Sequence, residues 1–528
     1  MLFQEDPTMR LLSTRGLSAP VDAPEAVLRG IAPDGGLSIP DEIPGIHPPD
    51  CSWAELCSIA QRILCAYLPG YTEDEIPAIP PQELWGVDFC SLAQRILCAY
   101  LPGYTEDEIR LCVQRAYHHT FDTDEITPLR AVGNQYVLEL FHGPTAAFKD
   151  VALSILPQLM GAALKKKGVH EDVMILTATS GDTGSAALTG FCDVPGIRVL
   201  VFYPEQGISP IQRAQMTTMR GGNLHVCAIR GNFDDAQAGV KRTFAQMPAD
   251  FCRAHGFTLS SANSINIGRL APQIVYYYDA YLKLVRAGRI QMGEPVDFSV
   301  PTGNFGDILA GYLARLSGLP VGRLICASNA NNVLTDFFNT AVYDKNRPFL
   351  TTTSPSMDIL VSSNLERLVY LALNRDAAAV RERMEQLRNQ GRYALPEEAM
   401  ARIRACFTGV CASDQEGMDA IARVYREHGY LMDPHTAVAW RGMEKAGTGS
   451  APCVVLSTAS PCKFPACVLT ALGQSVPQDA QAQLDALTSL GAPLPRALDG
   501  VLQRPVRFSD VIDPQDMMAY VQGKAASK

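Results

Sequence analysis

Residues 298–316 read Phe-Ser-Val-Pro-Thr-Gly-Asn-Phe-Gly-Asp-Ile-Leu-Ala-Gly-Tyr-Leu-Ala-Arg-Leu. An apolar strand, Phe298 to Val300, runs into a glycine turn, and Ile308 to Leu316 continue at helical spacing. This strand–turn–helix unit recurs. Val173 to Leu176 precede Thr179-Ser180-Gly181-Asp182-Thr183-Gly184, and further short apolar runs lie at Val199 to Phe202, Leu224 to Ile229, Leu324 to Ala327 and Val454 to Leu456. Buried runs alternating with helices predict an α/β fold with mostly parallel strands from Val132 onward. Charged amphipathic patterns near Arg375 to Gln390, Pro396 to Phe407 and Ser413 to Glu427 predict a helical insertion over about 375–430.

The 528 residues are too many for one compact core and predict two or three domains. Hydrophobic residues make up 47% and charged ones 19%, as in an ordinary globular protein, and no apolar run is long enough to span a bilayer. The acidic start, Met-Leu-Phe-Gln-Glu-Asp-Pro, lacks a signal h-region, so the expected address is cytoplasmic. Forty-five basic against fifty-five acidic side chains give a net charge of −10, which argues against nucleic acid as a partner. The fifteen cysteines show no zinc spacing and read as reduced core thiols, with no metal expected.

One segment is duplicated. Cys57 to Ile76 recurs as Cys90 to Ile109 at an offset of 33 residues, Ile59 alone becoming Leu92. Two copies joined by the proline-rich 77–81 do not make a solenoid. In each copy the apolar residues fall at helical spacing, which predicts one amphipathic helix per copy, without a catalytic role. The first 128 residues therefore read as an accessory domain.

The chemistry concentrates in five places. In His142-Gly143-Pro144-Thr145-Ala146-Ala147-Phe148-Lys149-Asp150, a lysine behind a glycine–proline turn has its amine placed by stiff backbone, as a Schiff-base lysine requires. Most lysines are simply solvated, so the two glycine loops carry that reading. Their backbone N–H groups at helix starts suit two anionic groups. In Ser261 to Arg269, the arginine one turn into a helix suits a carboxylate or phosphate, and pairing with an acidic surface is its ordinary alternative. Finally, Ser457-Thr458-Ala459-Ser460-Pro461-Cys462-Lys463-Phe464 places hydroxyls at a strand's C-terminal end, the usual ligand crevice of such sheets. Lys463 is a rival to Lys149 as a cofactor anchor.

These segments together are similar to the threonine synthase family. HGPTAAFKD, TATSGDTGSAA, SANSIN with Arg269, PTGNFGDILAGY, SPSMDILVSSNLER, DPHTA and STASPCKF carry the resemblance, as do the early STRG and APDGGL. The length and helical insertion resemble the longer fungal and bacterial form. The resemblance implies the tryptophan-synthase β-like fold, type II among pyridoxal-phosphate enzymes, with two three-layer α/β domains and an N-terminal domain. On this basis residues 1–128 form the N-terminal domain, 129–150 with 266–528 the large domain and 151–265 the small one.

The resemblance also implies roles. Lys149 would form the Schiff base with pyridoxal 5'-phosphate, and Gly303, Asn304, Phe305 and Gly306 would hold the cofactor phosphate. Thr458 would face the pyridine nitrogen, with Ser457 as the alternative. Ser180, Asp182, Thr183, Ser264, Asn266 and Arg269 would lie at the substrate. The implied reaction is the last step of threonine biosynthesis, O-phospho-L-homoserine and water giving L-threonine and phosphate by γ-elimination and β-addition of water. A phospho-lyase releasing 2-oxobutyrate and a non-catalytic phosphate-ligand binding protein are the alternatives. A monomer or homodimer without membrane attachment is expected.

Overall fold

The computed structural model describes residues 10–46, 88–447, 449 and 451–526. Two sheets organise the chain. The larger has six strands in the order Phe407–Cys411, Val321–Ser328, Val296–Pro301, Cys453–Ser457, Gln135–Glu139 and Leu129–Val132, parallel except for the antiparallel last pair. The smaller has five parallel strands, Asp510–Ile512, Leu224–Ile229, Ile197–Pro204, Asp172–Ala178 and Phe257–Ser260. Every strand expected from Val173 to Leu456 is present. The central ones are buried along nearly their whole length, which is why they read as continuous apolar runs.

Two features depart from the sequence reading. Phe407 ends no helix; it starts an edge strand of the six-stranded sheet, and the region also holds Arg392–Ala394, paired antiparallel with Val342–Asp344. The expected helical insertion is therefore helices interleaved with strands. The segment Asp510–Ile512, grouped by sequence with the larger domain, extends the smaller sheet beside Leu224–Ile229. Its backbone pairing settles its place, since three residues give no legible period.

The helix Ile267–Arg286 is buried on nearly every side, against Phe89–Tyr100, Lys149–Lys167 and Gly306–Leu316. Its tyrosines keep their hydroxyls satisfied: Tyr276 and Tyr277 donate to Asp307 and Tyr278 to the Ile46 carbonyl. The second copy of the duplicated segment supplies the helix Phe89–Tyr100, capped by Asp88, with Ala93, Ile96, Leu97 and Tyr100 buried. Its last residues then open a second helix, Glu106–Tyr117, through a Thr105/Glu108 capping box, so this copy is not a single helix. The first copy lies outside the described residues. The N-terminal segment is tied to the body where Arg15 and Thr14 bond Glu366 and Arg367 donates to the Ser38 carbonyl.

Candidate active site

The C-terminal ends of neighbouring strands build the site. Gln135–Glu139 and Cys453–Ser457 are parallel partners, and the chain beyond them stays paired: Phe148 N–H donates to the Thr458 carbonyl at 2.8 Å and Ser460 N–H to that of Ala146 at 3.2 Å. Asp150 folds back over its own turn, accepting from Thr145 N–H at 2.8 Å and Thr145 Oγ1 at 2.6 Å. Gly143 is needed there, because a Cβ would stand 2.4 Å from that of Asp150. Lys149 thus leaves a turn fixed on both sides and opens the helix Lys149–Lys167.

Its amine faces a cavity of about 780 Å³, whose walls include Ser180, Asp182, Thr183, Ser264, Arg269, Gly303, Asn304, Phe305, Gly306 and Thr458. The structure thereby gathers eleven of the thirteen sequence-derived site residues. Asn266 is not among them: it caps Ile267–Arg286 by accepting from Gly268 N–H and donates to the carbonyls of Val27 and Ser261. Ser457 points the other way from Thr458, to Thr436 Oγ1 at 3.0 Å, as strand alternation requires. Lys463 is wholly buried outside the cavity wall, so Lys149 presents the amine.

The electrostatics favour a reactive amine. Burial pushes Lys149 below its ordinary value, Asp182 acts against this, and the cations of Arg269 and Lys463 add to it. Burial alone would raise Asp182, but Lys463 and Lys149 hold its carboxyl well below the usual range. Among the described residues no carboxylate bonds Arg269; its one side-chain bond goes to the Ala262 carbonyl and its Nε is buried without a partner. Burial lowers it only to about 10, so it stays a cation. Burial raises Asp307 to about 6 against the pull of Tyr276 and Tyr277.

At the glycine turn, Phe305 sits in the left-handed region at φ 62°, an unusual place for a bulky residue. The Gly303 carbonyl accepts from Ser362 Oγ and the Asn304 carbonyl from Asn364 Nδ2, fixing the turn from outside. The first N–H groups of Gly306–Leu316 have no acceptor within their own helix. A glycine turn on a helix start, a buried amine and a cation with an orphaned N–H fit a phosphorylated aldehyde.

Sequence reasoning missed Gln212, Ser356 and His435. Gln212 Nε2 and Ser356 Oγ donate to Asp182, and Ser356 N–H donates to His435 Nε2 at 3.2 Å. His435 Nδ1 in turn donates to Asp433 at 2.6 Å. Ser356 and His435 lie in the quoted SPSM and DPHTA segments, where residue type alone gave them no partner.

A family model described as pyridoxal-phosphate dependent enzyme matches residues 126–458. Models for the threonine synthase N terminus and C-terminal region match 10–79 and 436–521. Threonine synthase from Pseudomonas aeruginosa is 40% identical over 88% of this chain and 91% of its own. The chain belongs to the threonine synthase family. The crystal structure of PLP-bound threonine synthase from Brucella melitensis, 36% identical, superposes with a TM-score of 0.81 over 98% of this chain and all of that one. Human threonine synthase-like 1 is 40% identical over 74% of this chain, which spans about half of that protein. The family is pyridoxal-phosphate dependent and of fold type II, so this chain is a pyridoxal-phosphate-dependent lyase.

Proposed function

We propose that the site takes O-phospho-L-homoserine and water to L-threonine and phosphate. The observation that carries this is one cavity holding the Lys149 amine, the Arg269 cation and two glycine loops on helix starts. Bound pyridoxal phosphate supplies an electron sink for charge developing at the substrate's α-carbon.

The chain's own residues do the rest. Gly303 to Gly306 would hold the cofactor phosphate, and Thr458 would offer a neutral hydroxyl to the pyridine nitrogen. Lys149 would bind the cofactor, and its free amine would take the substrate's α-proton and later return it. Ser180, Thr183, Ser264 and Arg269 bind the substrate's anionic groups, and Arg269 stabilises charge growing on the departing phosphate. The ion pair of Asp182 with Lys463 and the cap made by Asn266 put both in supporting roles.

Described cysteines are free thiols, several of them buried, which supports a reducing, cytoplasmic setting. Among the described residues no helix is long and apolar enough to cross a membrane. A monomer or homodimer completes the reading.

The test is to incubate purified protein, cofactor and O-phospho-L-homoserine and resolve threonine, 2-oxobutyrate and phosphate in one sample. Threonine equal to phosphate is expected. Phosphate matched by 2-oxobutyrate would make the protein a phospho-lyase, and no phosphate would overturn the substrate.

A further inference from the structure

Behind the cavity wall stands a second buried amine. Lys463 has no exposed surface; its Nζ lies 2.6 Å from Asp182 Oδ1 and donates to the Thr145 carbonyl at 3.0 Å. Lys149 Nζ reaches the other oxygen of the same carboxylate at 3.6 Å. Gln212 Nε2 and Ser356 Oγ complete the shell of Asp182 at 2.8 and 3.2 Å. One carboxylate therefore stands between two amines in a site screened from water, where a single negative charge does not neutralise two ammonium groups.

The sharing is unequal. Lys463 has the shorter ion pair, a second acceptor and no route to solvent, whereas Lys149 has the longer contact and faces the cavity. We infer that Lys463 is a positioning residue that keeps the proton of this pair and claims Asp182 as its counter-ion, leaving Lys149 a neutral amine. This rests on the reading of Lys149 as the cofactor's anchor. Only a neutral amine attacks an aldehyde: its lone pair forms the bond to carbon, and the aldehyde oxygen leaves as water with the two amine protons.

The other charged groups near Lys149 do not make this choice. Arg269, from the helix Ile267–Arg286, adds to the repulsion of a protonated Lys149, and Asp307, from Gly306–Leu316, is held by two tyrosines. Asp150 is turned onto Thr145, and His435 is held between Asp433 and Ser356.

The test strips the full-length protein of cofactor, adds pyridoxal phosphate across a range of pH and follows the growth of the protein-bound absorbance band. The midpoint of the rate's rise with pH reports the proton on Lys149. In Lys463→Met, Asp182 has only Lys149 to pair with, and the midpoint moves up by about one pH unit. Lys463→Arg, which keeps the charge, shifts it less. The double variant Asp182→Asn/Lys463→Met removes both charges and serves where the single one does not fold; its midpoint stays near that of the parent, because Lys463 already cancels Asp182 there. An unmoved midpoint in folded Lys463→Met, or a midpoint a full pH unit below the parent's in the double variant, overturns the inference however much the rate drops. A parent protein that develops no band, or a Lys149→Ala variant that does, fails the reading of Lys149 instead.

Discussion

Asp307 carries two tyrosine hydroxyls on one carboxylate oxygen and, among the described residues, nothing on the other, deep in the wall of the cavity. The folded chain keeps its proton up to about pH 6, whereas the unfolded chain releases it near 3.8. Between these values the folded state binds more protons, so stability falls as pH rises, by about 3 kcal/mol across the window. Asp307→Asn is expected to lose that slope, as denaturant unfolding of the cofactor-free protein at a series of pH values checks. At Lys149 the expectation is sharper: Lys149→Ala abolishes the cofactor's absorbance band and turnover while circular dichroism stays that of the parent. Which of these side chains reach the cavity was legible unevenly. Lys149 and Arg269 announce themselves by charge in glycine-rich company, but Ser457 and Thr458 are both small hydroxyl residues. Only the parity of the strand tells them apart. Asn266 looks like any polar residue of its cluster until the helix start it caps is seen.

The elements meet at a few intolerant points. Gly190, in the helix Asp182–Gly190, lies against Lys149–Lys167 so closely that a Cβ would stand 2.1 Å from the Leu153 carbonyl oxygen. Gly190→Ala is expected to cost about 2–3 kcal/mol in urea unfolding and to loosen both helices that carry site residues. In the helix Phe89–Tyr100, Ile96 is wholly buried, and Ile96→Ala is expected to cost about 3 kcal/mol without changing the product. The sheets were readable wherever a strand is buried on both faces, because such a strand must be apolar throughout. Phe407–Cys411 was not, since its Thr-Gly-Val-Cys tail is partly exposed at a sheet edge and follows a helical pattern without a break. The short Asp510–Ile512 is identified by its partner rather than by its own residues.

Across the whole molecule the cavity draws on the N-terminal segment through Arg29 and Ile31, on the smaller sheet through Ser180 and on the larger through Thr458. A ligand that bridges these parts binds only when all are in place. At a hundred times its dissociation constant, pyridoxal phosphate is expected to add about 2.7 kcal/mol to stability. Thermal melting with and without it reads this gain, and Lys149→Ala shows a smaller one. The same layout sets the order of events during synthesis. Thr145 and Lys463 bond directly, although 318 positions separate them in the chain. A nascent polypeptide that has already displayed its anchoring lysine still lacks the far wall, so it does not yet enclose its vitamin-derived partner. Loading waits until Lys463 and the wall around it have followed, so the cofactor enters a formed pocket rather than guiding its assembly.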